Sequence, residues 1–142
     1  MATAAAPAPS VLHPLHAILL AFPVAMFTGA LLSDITYLNS AEIQWTNFSA
    51  WLITGALLFG APLLPWSILP FLRGRRAARR GRALLYPVLV WLMWIAGLLN
   101  AFQHGRDGWS SVGTTGLVLS VLSTLAALLA GWIGYGAGRR GR

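Results

Sequence analysis

Four apolar stretches, each long enough to cross a bilayer, take up most of this 142-residue chain. A spanning helix needs about 20 mostly apolar residues. The stretches run over about 13–33, 48–72, 83–103 and 113–135. Hydrocarbon offers no partner to a backbone amide or carbonyl, so such runs must bond internally as helices. The expected fold is therefore all-α: a four-helix transmembrane bundle over 11–138, after a tail at 1–10 and before a basic tail at 139–142. Composition removes the rivals. Charged residues are only 9% of the chain, against roughly 25% in an ordinary soluble domain. Apolar residues make up 57%, with seven Trp, which is the opposite of a disordered chain. Cysteine is absent, so disulfides, thiolate metal ligands and a cysteine nucleophile are excluded. The uncharged start lacks the basic region of a signal peptide, and the first apolar run is long enough to span, so no cleavage is expected.

Arginine placement predicts the orientation. Arg73, Arg75, Arg76, Arg79, Arg80 and Arg82 lie between the second and third stretches, and Arg139, Arg140 and Arg142 close the chain. Only Arg106 lies elsewhere, and the acids Asp34, Glu42 and Asp107 all fall in the other two loops. Cationic loops stay on the cytoplasmic side. Both termini and the middle loop are thus expected inside, with the first and third loops outside. Topology accounts for the arginines, so a nucleic-acid partner is not expected; weak attraction to anionic lipid headgroups is.

Small residues point to helix contacts. In the first stretch Ala17, Ala21, Ala25, Gly29 and Ser33 recur every fourth position. In the last, Gly113, Gly116, Ser120, Thr124, Ala127, Gly131, Gly134 and Gly138 recur at close to helical period. Small stripes let membrane helices approach, and the two stripes are expected at close contacts, with each other as one option. Pro23 should kink the first helix, and Pro62, Pro65 and Pro70 should kink or shorten the second. A short interfacial turn is expected around Ile43 and Trp45.

Few residues could carry chemistry. His13 and His16 share roughly one face at the cytoplasmic start of the first helix. They read either as a metal or phosphate site or as an interfacial helix start with His13 near the cap. Asn100 and His104 stack four apart at the end of the third helix. With Asp34, Glu42, Arg106 and Asp107 they form a candidate outer polar patch, able to meet a quinone headgroup or a docking protein. The plain alternative is a capped helix end in water. A bis-His haem needs two imidazoles on facing helices at one depth. His104 lies about 30 Å of hydrocarbon away from His13 and His16, so a haem b would need a second chain or a non-His ligand. No P-loop, GxSxG or HExxH is present, and no metal site is expected.

The start His13-Pro14-Leu15-His16, followed by Ala21-Phe22-Pro23, and the ending Gly131-Trp132-Ile133-Gly134 resemble a bacterial multi-pass membrane family, domain of unknown function 2231. The resemblance implies four helices in a bacterial inner membrane and brings no established activity. Histidine-richer members carry additional histidines where this chain has Ala21 and the segments 82–86 and 136–142. The segments Asp34…Glu42-Ile43-Gln44-Trp45 and Asn100…His104…Asp107-Gly108-Trp109 are similar to a subgroup whose genes often neighbour periplasmic quinoprotein dehydrogenases and cytochromes. The resulting expectation is a non-catalytic membrane subunit, an anchor or electron-transfer accessory for a periplasmic dehydrogenase or cytochrome. A haem- or quinone-binding protein acting alone is the alternative, small-solute handling the weakest reading, and a homo-oligomer is compatible with all three.

Overall fold

The computed structural model describes residues 13–72, 81–106 and 112–137. The arginine-rich loop at 73–80, Asp107, Trp109, Gly138 and the C-terminal arginines lie outside the described residues. The elements are α1 (Pro14–Ser40), α2 (Ile43–Gly60), α3 (Leu63–Leu72), α4 (Gly81–His104) and α5 (Thr114–Ala137). α1, α4 and α5 are each long and apolar enough to cross a membrane, and α2 with α3 makes the fourth such segment, Ile43–Pro70.

His13 starts α1 as its N-cap: its backbone is extended and its Nδ1 accepts from the Leu15 amide at 3.3 Å, with Pro14 in the first turn. Proline, which has no N–H, suits that turn, where an N–H would have no helical partner anyway. α1 then runs seven residues past the expected end at Ser33. In its polar tip the side chains of Thr36, Asn39 and Ser40 bond back to the carbonyls of Leu32, Ile35 and Thr36, so their polar groups are satisfied within the helix. The helix stops at Ala41, which takes a left-handed φ of 55° and gives its N–H to Tyr37 O. No separate turn follows. Ile43 and Trp45 form the first turn of α2, where Trp45 N bonds Glu42 O at 3.0 Å. The second segment thus begins five residues before the expected 48. It breaks at Ala61 and Pro62, where Ala61 N still reaches Leu57 O and Leu64 N reaches Ala61 O. Pro62 has no N–H to continue the ladder.

α1 packs on α2 and α5, while α4 packs on α5, α2 and α3. The core is Leu20, Phe27, Ala30, Ile53, Ala56, Val90, Met93, Ala127 and Ala130. Around it an apolar belt faces outward, including Leu32, Trp51, Leu58, Phe102, Val118 and Trp132. That much exposed apolar surface suits hydrocarbon and not water. Phe27 packs against α4 at Gly97, where a Cβ would collide with the ring.

The two small-residue stripes fare differently. On α5, Gly116, Ser120, Thr124, Ala127, Gly131 and Gly134 are all buried, and Gly131 lies against Val24 of α1. On α1, Ala21 and Ala25 are exposed, and Gly29 meets Leu52 of α2 instead of α5. The assignment of Ala21 and Ala25 to helix packing is therefore corrected. A helix turns about 100° per residue. A strict four-residue repeat drifts about 40° each step and winds off the contact face. The α5 stripe mixes steps of four and three, which offset the drift. The buried face of α1 is instead His16, Leu20, Pro23, Phe27, Ala30, Ser33 and Asp34.

Candidate functional site

Asp34 continues the Phe27–Ala30 face of α1, so the helix turns its carboxylate into the bundle, where it is fully buried. Its Oδ1 lies 2.9 Å from His104 Nε2 of α4. Its Oδ2 accepts from Ser120 Oγ of α5. Asn100, one turn before His104, donates from Nδ2 to the same Ser120 oxygen at 2.7 Å. From α2, Ser49 Oγ lies 3.3 Å from His104 Nε2 and donates to Ala30 O. The second imidazole nitrogen, Nδ1, lies 3.0 Å from Asn100 O. Four helices therefore meet at one junction. A buried charge costs several kcal/mol unless it is paired and hydrogen-bonded, and here both carboxylate oxygens are engaged. Asn100 Oδ1 is buried with no hydrogen-bond partner among the described residues.

The candidate outer patch thus divides. Asp34, Asn100 and His104 come together, but inside the bundle, with His104 only 8% exposed. Glu42 and Arg106 are exposed and make no bond to them, and Asp107 lies outside the described residues. The division follows from the length of α1: Asp34 sits inside a helix, not in a loop. Ser120 does more than pack, since it joins Asp34 to Asn100. Ser49 was not singled out from sequence. Its only signal is the spacing Thr46, Ser49, Ile53, Ala56, Gly60, which is the buried face of α2.

A family model described as predicted membrane protein, DUF2231, matches residues 12–141. The chain belongs to the DUF2231 family. No curated protein and no solved structure matches it.

The other end of this DUF2231 bundle is aromatic. Counted along α1, His16 lies 18 residues from Asp34, or about 27 Å. His16 is buried, its Nε2 bonds Tyr86 OH of α4 at 2.5 Å, and its Nδ1 has no partner among the described residues. Its ring meets Trp66 of α3 edge-on at 5.1 Å. His13 is exposed, with Nδ1 engaged as the cap of α1 and its ring 6.0 Å from Trp66. The two histidines of the HPxH start therefore play different parts. Tyr86, Trp66 and Tyr135, which donates to Ala17 O at 2.9 Å, were not tied to them by sequence. Within one chain the histidines do not fit a bis-His haem: two lie at one end, one buried and one exposed, and the third is about 27 Å away with both nitrogens engaged. Among the described residues no group of three or more His, Asp or Glu could hold a metal ion.

Proposed function

We propose that this DUF2231 protein is a non-catalytic subunit of a bacterial inner membrane, with both termini cytoplasmic. It retains a periplasmic oxidoreductase at the end of the bundle that carries Glu42 and Arg106. The observation behind this reading is the inward turn of the Asp34–His104 junction. Both imidazole nitrogens and both carboxylate oxygens bond within the bundle, so the pair fastens helices and leaves no unbonded ring nitrogen or carboxylate oxygen for an organic substrate. Among the described residues that face out at that end are Glu42, Ile43, Trp45 and Arg106. Charge of both signs beside an aromatic ring suits protein docking. The side of the membrane comes from the arginine count, and the class of partner from the resemblance to the subgroup. The test is purification from native membranes with mass spectrometry of what comes with it. The double variant Glu42→Lys, Arg106→Glu should fold as before and lose the partner. Undiminished retention by the double variant would refute the reading.

Quinone binding is a second reading, favoured by an open groove between the end of α4 and the start of α5. Leu99, Phe102 and Leu119 form its apolar walls, with Gln103, Arg106 and Thr115 as polar groups. This combination suits an isoprenoid tail and a carbonyl headgroup. Solvent extraction of the purified protein should yield quinone from the wild type and less from Gln103→Leu. Quinone-free wild type would remove this reading and leave the first intact.

A further inference from the structure

The hydrogen-bond inventory of the junction does not close for a neutral imidazole facing a carboxylate. A neutral histidine has one N–H and one lone pair. Here both ring nitrogens of His104 face acceptors: Nδ1 faces the Asn100 carbonyl at 3.0 Å, and Nε2 faces Asp34 Oδ1 at 2.9 Å. Ser49 supplies no proton to Nε2. Its hydroxyl proton goes to Ala30 O, so its oxygen faces Nε2 as a further acceptor. Asp34 Oδ2 is already taken as an acceptor by Ser120, whose own oxygen accepts from Asn100. One proton more than neutral imidazole plus carboxylate is needed to satisfy these contacts.

We propose that Asp34 and His104 form a proton-binding site that opens to one side of the membrane only. The proton resides on Nε2 as an imidazolium–carboxylate pair, or on Asp34 as a carboxylic acid donating to Nε2; the proton count is the same. The pair with its proton is electrically neutral, which is the state a buried, lipid-wrapped junction tolerates. Without it, a net negative charge is left among four helices.

The one-sidedness comes from the packing. Asp34 lies six residues from the end of α1, about 9 Å from its tip. His104 is the last residue of α4 and keeps a small exposure. Toward the His16 end the path is closed by Leu20, Phe27, Ile53, Val90 and Met93, all at most 1% exposed. Ser123 and Thr124 offer no relay there, since their hydroxyls bond backbone carbonyls. The residues bonded to the pair include Ser49 from α2, Asn100 from α4 and Ser120 from α5, none of them ionisable. The other described ionisable groups at this end are Tyr37, half-buried, and the exposed Glu42 and Arg106, and no hydrogen bond or ion pair joins any of them to the pair.

The test is solid-state NMR of the protein in lipid, with nitrogen-labelled histidine and carbon-labelled aspartate. At neutral pH one of the three histidines should show both ring nitrogens protonated, or Asp34 should show a protonated carboxyl. His104→Gln assigns the signal, and His13→Gln with His16→Gln assign it by elimination if that variant does not fold. A neutral His104 beside an ionised Asp34 overturns the proposal. In vesicles holding the protein in one orientation, changing the pH on the Ser40 side alone should move the signal. A response to the opposite side alone, or equally to both, overturns the one-sidedness.

Discussion

His104 and Asp34 should not tolerate truncation equally. His104→Ala leaves a buried carboxylate with Ser120 as its one remaining hydrogen-bond partner among the described residues. Removing one member of a buried charge pair costs about 3–5 kcal/mol. Asp34→Asn removes the charge and keeps an oxygen and a similar volume, so its cost should be smaller. Thermal unfolding in detergent measures both, and an equal or larger loss for Asp34→Asn would contradict the pairing. Gly97 is the sharpest steric test. The atoms in the way of a Cβ belong to the rigid, buried Phe27 ring. Gly97→Ala should cost about 1–3 kcal/mol, as overpacking does. Gly29→Ala, which meets only the tip of Leu52, should be mild by comparison.

Among the elements, the stop of α1 and the stripe of α5 each yield a prediction. Ala41 holds a left-handed backbone that an L side chain adopts at a cost of about 1–2 kcal/mol. Ala41→Gly should therefore raise the unfolding midpoint in detergent. Gly131→Leu should force α5 from Val24 of α1 and lower that midpoint. The existence of four long apolar helices was legible, because about 20 apolar residues in a row admit few other folds. The ends were less so. A polar run such as Thr36 to Ser40 reads as loop unless its side chains are known to bond back into the helix. The junction was half legible. Asn100 and His104 could be paired from their spacing, and Asp34 was placed at the same end. Its burial is hidden because a carboxylate at the end of an apolar run reads as loop, and Ser49 carries no signal beyond an ordinary small residue. The role of Tyr86 beside His16 depends on how α2, α3 and α5 set α4 across the bundle from α1, which no local pattern encodes.

For the molecule as a whole, the arginine distribution predicts that a reporter fused after Arg142 is active in the cytoplasm. Periplasmic activity of that fusion would invert the bundle and, with it, the side from which the Asp34–His104 pair meets water. Length adds a separate consequence. α1 has 27 residues, about 40 Å of helix, against about 30 Å of hydrocarbon. If it stood upright with His13 at the inner boundary, its last two turns would clear the oily layer as a rigid post. Those turns carry Thr36, Tyr37, Asn39 and Ser40. Tilting shortens the post and draws these polar groups toward the acyl chains. Membrane thickness thus sets how far the post stands out and how deep the Asp34 carboxylate rides. A thinner bilayer would lift that carboxylate toward the headgroups, so lipid chain length is a handle on this bundle that acts without touching a side chain.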